Sequence, residues 1–471
     1  MDFFKKAINK IWSYPVFSIA FGGALAQFLQ LIAYPFLTRL YTPEDFGGFF
    51  FATSIIVVLV VFFVLQFDSL IIASPRWLVP LLVNVSFVFL FFGFLLLQAI
   101  VLINIFLCDL SYFFFRNNTL LIYLPFALVV HGVYAVGMAK CVRFQEYKRI
   151  GLSNFCVSFS CVLIQIILGV NGFGIVGLIF GDFICRVVGS IILFRGKKHL
   201  HFVGFKKIFF LLRRFKDFSL FLTPAAVLNV FSQNIQAIFF PIIYGGAQAG
   251  QLGVANKLIV APVGLVVGAV GQVFNGEVKN QKKHEGRKNV FLMTLVKSTK
   301  IAIPIAFVIG SFSEILFSLF LGSSWGMAGV YASILSIGIC FSIVVSPVSG
   351  IFIINKSLKS AFIFSIIEVV LRSFPFFMGY FCESISALQV VILISFCNAL
   401  LYGIGLFRML HVAEVDFIEF LSKVKVALLY SFLFFTPCLG LRVLEFPIYI
   451  VMFFSLLAVV LYFLKLKDEM W

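Results

Sequence analysis

Two pairs of opposite charge stand one helical turn apart, Asp182 with Arg186 and Glu368 with Arg372. Each lies inside an apolar run, where an isolated charge costs several kcal/mol unless it is paired or wetted. At this spacing acid and base share one helix face, so each pair can neutralise itself. Two readings are balanced: a buried structural contact, or a cavity-facing pair whose Arg releases its carboxylate to grip a phosphate. The planar guanidinium suits the second task because it binds phosphate oxygens two at a time. Lys257 is another cation in an apolar run, with no acidic neighbour on its own helix. Such an ammonium must find an anion, water or a carbonyl, or snorkel toward the interface. Arg39 and Asp68 sit at the mouths of apolar runs and read first as interface anchors. Glu314, near a run's end, reads as snorkelling.

Amides form a second set. Gly23, Gln27, Gln30 and Tyr34 are spaced for one helix face, and so are Asn229, Gln233 and Gln236. An amide in hydrocarbon must be satisfied, so these faces should meet protein or water and not lipid. They are either interhelical contacts or a cavity lining that hydrogen-bonds sugar hydroxyls.

No catalytic constellation accompanies these groups. His131, His199, His201, His284 and His411 are scattered without metal-ligand spacing, and no metal or cofactor is expected. The nine Cys fall mostly in apolar runs (Cys156, Cys161, Cys185, Cys340, Cys397, Cys438) and read as free, small apolar residues. No phosphate-cradling glycine loop of the ATPase type is present. Work must therefore come from an ion gradient, the membrane potential or downstream consumption of the product.

The elements that must position these groups are transmembrane helices. Of 471 residues 62% are hydrophobic and 12% charged, including 65 Phe, against roughly 25% charged in soluble domains. About 20 apolar residues cross a bilayer, which places spans at 18–38, 47–67, 79–104, 119–139, 152–171, 173–194, 218–243, 250–274, 301–321, 327–352, 360–381, 385–407, 426–441 and 446–465. The short segment 426–441 carries Pro437 and reads alternatively as a tilted or re-entrant hairpin. The first span, preceded by Lys5, Lys6 and Lys10, is too long for a cleavable signal and reads as its own insertion signal.

The formal charge of +17 fits a membrane topology better than nucleic-acid binding. With the N-terminus in the cytoplasm, Arg39, Arg116 and Arg442 fall in outer loops and Arg186, Lys257 and Arg372 within spans. The remaining 30 of the 36 basic residues are cytoplasmic. Segments 195–217 and 275–300 are the densest basic loops, and both termini are expected in the cytoplasm.

The halves echo each other. Gln27, Gln30, Pro35 and Gly47 recur as Gln233, Gln236, Pro241 and Gly253, each 206 residues later. Both copies open a set of six spans in the same sense, a parallel repeat that places substrate between two bundles. The expected organisation is an N-terminal bundle over 1–194 and a basic, amphipathic linker over 195–217. A C-terminal bundle follows over 218–407, with two additional helices or a hairpin over 408–471.

The first hairpin, Tyr34-Pro35-Phe36-Leu37-Thr38-Arg39-Leu40-Tyr41-Thr42-Pro43-Glu44-Asp45-Phe46-Gly47, resembles the signature that opens Wzx-type polysaccharide flippases. These belong to the multidrug/oligosaccharidyl-lipid/polysaccharide exporter superfamily. Gly253-x-Ala255-x-Lys257-x4-Pro262 and Leu321-Gly322-Ser323-Ser324-Trp325-x2-Ala328-Gly329 resemble softer motifs of the same family. The resemblance implies an all-α polytopic protein of 12–14 helices, with two six-helix bundles in a V around a central cavity. It implies a transporter, not an enzyme, that moves an undecaprenyl-pyrophosphate-linked oligosaccharide from the cytoplasmic to the periplasmic leaflet. The site would be a bacterial inner membrane, and the implied partners are the lipid-linked glycan, membrane lipids, and polysaccharide polymerase and chain-length machinery. Fourteen helices instead of twelve also resemble lipid II flippases, leaving a lipid II or multidrug exporter as the alternative. A membrane polymerase or glycosyltransferase is a weaker rival, since the longest outer loop, 108–118, holds one basic residue, Arg116.

Overall fold

The computed structural model describes residues 15–104, 118–195, 216–281, 284–355, 358–382, 384–443 and 447–470. The described residues form helices and no strands. In a solvent without hydrogen-bonding capacity, helices satisfy every backbone group internally. Fourteen long helices are labelled in chain order. The first six are α1 Pro15–Leu40, α2 Pro43–Val64, α3 Val79–Ile103, α4 Asn118–Arg143, α5 Tyr147–Val170 and α6 Ile175–Phe194. The next six are α7 Lys216–Tyr244, α8 Gly246–Asn280, α9 His284–Leu321, α10 Gly326–Val345, α11 Leu358–Phe381 and α12 Ala387–Val412, followed by α13 Phe417–Val443 and α14 Ile448–Met470. Eleven helices among the described residues are long and apolar enough to cross a membrane, and α14 adds the shorter apolar run Ile450–Leu466. The chain is a multi-pass membrane protein.

Four expectations from the sequence need correction. The second span ends at Val64, not 67, because Leu65 and Gln66 take left-handed conformations with φ of 52° and 57°. A short helix, Phe67–Ala73, follows and carries Asp68, which therefore does not sit on α2. The basic segment 275–300 is not a loop. α8 runs for 35 residues and α9 for 38, with only residues 281–283 between them. At 1.5 Å per residue these helices reach over 50 Å against a hydrocarbon core of about 30 Å. Lys279, Arg287 and Lys288 lie on these extensions.

The tenth span closes at Val345, and Pro347 enforces a 3-10 turn over Ser346–Val348 before a four-residue helix, Ile351–Ile354. Lastly, 426–441 is no hairpin: Pro437 lies inside the 27-residue helix α13. The linker segment 196–215, with His199 and His201, lies outside the described residues, as do Lys5, Lys6, Lys10 and Arg116.

The chain divides into two compact units, Met1–Gly250 and Gln251–Trp471. In the first, α1 packs along α5, α5 along α6, and α6 against α4. α3 packs on α4, and α7 lies against α2. A core of Ile56, Val60, Val64, Leu82, Leu90, Leu124 and Leu128 joins α2, α3 and α4. α8 begins in this unit, with its first turn crossing the start of α2. A Cβ on Gly47 would collide with the Gly246 backbone, and one on Gly250 with the Pro43 carbonyl, so only glycine permits the crossing.

In the second unit α10 packs between α9 and α12, and α11 lies on α12. α13 and α14 form a pair that α9 receives through Phe307, whose ring stacks on Phe435 at 4.3 Å and 9°. Lys288 Nζ adds an ion pair to Glu419 Oε2 at 3.2 Å, joining the starts of α9 and α13.

Candidate functional site

The α1–α2 turn positions α6. Thr42 caps α2 by accepting from the Asp45 amide, while Asp45 Oδ2 accepts from the Thr42 amide at 2.9 Å. The other oxygen, Oδ1, accepts from the Ile175 amide at 2.9 Å, the first donor of α6. One carboxylate thus satisfies orphan donors at two helix N-termini, where negative charge is favoured. Tyr41 Oη donates to the Gln165 carbonyl at 2.6 Å, and Gln165 Nε2 donates to the Leu178 carbonyl at 3.1 Å. Burial, with Asp45 beside it, pushes the Tyr41 phenol up to about 12, so it remains a donor. These bonds fix the axial height of α5 and α6.

Asp182 lies seven residues into α6 and Arg186 eleven, about 10 and 16 Å from its start. Both therefore sit well inside a hydrocarbon layer about 30 Å thick. Asp182 Oδ1 stands 3.7 Å from Arg186 Nε. Its Oδ2 stands 2.8 Å from Nε2 of His131 on α4. The His131 and Asp182 side chains are 8% and 11% exposed, whereas Arg186 is 33% exposed. Arg186 Nε has no hydrogen-bond acceptor among the described residues.

From Arg186 the polar contacts continue across the bundle. Its guanidinium lies 5.0 Å above the Tyr134 ring. Tyr134 Oη donates to Asn154 Oδ1 on α5 at 3.1 Å. One turn along α5, Ser158 accepts from Gln30 Nε2 of α1 at 3.3 Å. The amide seam of α1 and the charged pair of α6, read separately in the sequence, are two ends of one polar ladder inside the first unit. Gln27, one turn before Gln30, keeps a buried Oε1 without a hydrogen-bond partner among the described residues. Tyr123 Oη on α4 is buried in the same way.

Other candidates stand apart from this ladder. On α7, Gln233 Nε2 donates to Asn229 Oδ1 at 2.7 Å, and both amides are exposed. Gln236 follows one turn later and is half-buried. Arg39 is exposed at the last turn of α1. Asp68 keeps a buried Oδ1 without a hydrogen-bond partner among the described residues. In the second unit Lys257 is exposed on α8. On α11, Arg372 Nη2 pairs with Glu368 Oε1 at 3.0 Å, with both side chains largely buried.

Two residues were missed by sequence reasoning. His131 was grouped with scattered histidines, although its place at mid-span in α4 already required a polar partner. Gln251 was legible in the repeat, since it stands 206 residues after Asp45. It too reaches the start of a later helix, α10, within the second unit. Gln251 Oε1 accepts from the Ala328 amide near the start of α10 at 2.8 Å, and its Nε2 donates to the Ser324 carbonyl at 2.6 Å. The Gly322–Trp325 turn is thereby pinned to α8, with Trp325 fully buried.

Among the described residues no group of three His, Cys, Asp or Glu is placed to hold a metal. The chemistry of the arrangement, a guanidinium, an imidazole, a carboxylate and amides, suits it to bind and orient polar groups. Helices that satisfy their own backbones in lipid, with a polar ladder at mid-depth, define a polytopic all-helical membrane fold. Solved structures of like fold agree. A lipid II flippase, MurJ, in an inward closed conformation aligns over 97% of this chain and 99% of its own, at TM-score 0.65 and 13% identity. An inward-facing multidrug resistance transporter of the MATE family, within the MOP superfamily, aligns over 83% and 95% at TM-score 0.61 and 14% identity. A MOP superfamily transporter from Pyrococcus furiosus aligns over 85% and 95% at 0.54 and 16%. No curated protein sequence matches the chain. The chain belongs to the polysaccharide biosynthesis protein family, whose sequence model matches residues 36–330.

Proposed function

We propose that this protein is a flippase for lipid-linked oligosaccharide repeat units, carried on undecaprenyl pyrophosphate and moved from the cytoplasmic to the periplasmic leaflet by alternating access. The observation that carries the reading is Arg186. Its side chain stands at mid-depth in an apolar bundle and is one-third exposed, and its buried Nε, 3.7 Å from Asp182 Oδ1, has no hydrogen-bond acceptor among the described residues. A pyrophosphate crossing the bilayer needs a cation there, because leaving water unpaired costs it far more than a neutral group. Lys257 and the Glu368–Arg372 pair are further cationic positions. The exposed Asn229–Gln233 amides and the Gln27–Gln30 seam supply hydrogen bonds suited to sugar hydroxyls. Arg39 and Asp68 serve as anchors near the ends of their helices. The protein resides in the inner membrane with both termini in the cytoplasm, and polymerase and chain-length machinery consume the flipped unit.

The second reading is lipid II export, favoured by the alignment of 97% of this chain with a lipid II flippase. Proteoliposomes separate the two. With fluorescent lipid-linked oligosaccharide loaded in one leaflet, the protein should speed its exposure to an external glycosidase. Lipid II added in excess should slow that transfer little. Equal or faster transfer of lipid II would favour the second reading, and transfer of neither would overturn both.

A further inference from the structure

His131 lies outside every motif that carries the family resemblance, yet it makes the shortest contact in the polar ladder. The two oxygens of Asp182 face two different cationic candidates, His131 at 2.8 Å and Arg186 at 3.7 Å. A neutral imidazole leaves the group of three without net charge, since Arg186 alone balances Asp182. A protonated imidazole takes over the carboxylate and leaves the group with one net positive charge at mid-depth. That excess is unfavourable in hydrocarbon unless an anion joins it.

From this geometry we infer that His131 is a proton-binding residue whose occupancy controls Arg186, so that a proton and an anionic phosphate bind this site together. The inference rests on the anion-binding reading of Arg186. Coupling follows from charge alone and is reciprocal: each ligand raises the affinity for the other by the same factor. Arg186 is the residue that can turn to an incoming anion, being the most exposed of the three and held by the longest contact. The other titratable groups near the pair are Tyr123 and Tyr134 of α4, Cys161 of α5 and Cys185 of α6. Phenols and thiols ordinarily ionise above about pH 8, whereas imidazole ordinarily changes charge between about pH 5 and 8. α3 contributes no titratable residue, and the only ones on α2, Glu44 and Asp45, lie at its start. Asp45 is committed there to Thr42 and Ile175.

The test uses the purified protein and geranyl diphosphoryl N-acetylglucosamine, whose two diester phosphates do not titrate between about pH 5 and 8. Binding is followed by calorimetry in two buffers of different ionisation enthalpy. The wild type should take up a proton on binding near neutral pH and bind about tenfold more tightly at pH 5.5 than at pH 7.5, since one linked proton gives up to tenfold per pH unit. His131→Gln, which keeps a hydrogen bond to Asp182 without the proton, should hold its affinity at the high-pH level at both pH values. Arg186→Gln should lose most of the affinity throughout. Wild-type binding without pH dependence or proton uptake would overturn the inference while leaving the anion site standing. Unchanged binding by Arg186→Gln, or pH dependence surviving in His131→Gln, would overturn it too. Absence of binding by the wild type would remove the anion site and the inference together. Should His131→Gln fail to fold, the wild-type proton count decides alone.

Discussion

Replacing Asp45 should cost stability twice over, because one carboxylate holds two helices. Asp45→Ala removes the reciprocal half of the α2 capping box, which is solvent-exposed and worth about 1 kcal/mol. It also strands the part-buried Ile175 amide 130 residues away, at a cost of about 1–2 kcal/mol. The sum is about 2–3 kcal/mol. Asp45→Asn retains one acceptor oxygen and should lose about half of that. Thermal unfolding in detergent, followed by a dye that reacts with buried cysteines, should rank the melting temperatures Asp45, then Asn, then Ala, with several degrees between first and last. A double-mutant cycle separates the local cap from the long-range bond. Thr42→Ala and Asp45→Ala should be non-additive, since both remove the cap, while the Ile175 contribution persists on a Thr42→Ala background. Equal melting of wild type and Asp45→Ala would refute the reasoning, as would full additivity of the two changes.

Gln251→Ala should destabilise the second unit by about 2–4 kcal/mol through loss of both bonds to the Ser324–Ala328 turn, and Gln251→Glu should cost at least as much, because it loses the donor and sets a buried carboxylate against the Ser324 carbonyl. The same melting assay checks this. Glu368→Gln with Arg372→Gln together should be better tolerated than either alone, since a single change strands a largely buried charge; membrane levels and surface polysaccharide measure it. Lys257→Ala should abolish surface polysaccharide at normal membrane levels while Lys257→Arg keeps part of it, and full export by Lys257→Ala would assign the exposed ammonium to the interface. Phe307→Ala should loosen α13–α14 by about 1–3 kcal/mol, since its ring is partly buried, read as faster proteolysis between residues 408 and 471.

The fourteen helices were legible because long apolar runs report a bilayer directly, and most boundaries follow from charges and turn residues at their ends. The break at Leu65–Gln66 was not, since it uses neither Gly nor Pro and the apolar pattern runs through Phe67 into Leu70. The reach of α8 and α9 through 275–300 was hidden for another reason. Hydropathy marks only the part of a helix inside lipid, and a helix continuing into water reads as a polar loop. For the site, i,i+4 spacing revealed Asp182–Arg186 and Glu368–Arg372 because those contacts are local. Asp182 meets His131 across 51 residues, and Gln30 meets Ser158 across 128; only the packing of α4 on α6 and of α1 on α5 brings them together.

The paired positions 45 and 251 also bear on ancestry. Where two halves descend from one duplicated segment, a single residue once served both places. Asp45 now meets only donors, the amides of Thr42 and Ile175 and the Thr42 hydroxyl, and a carboxylate answers them with acceptors alone. Gln251 meets one donor and one acceptor, and only an amide side chain answers both. The halves have therefore lost interchangeability at this point: exchanging the two residues would leave Ser324 facing a carboxylate and Asp45's three donors competing for one amide oxygen. The difference between the two positions is recorded in the direction of their hydrogen bonds.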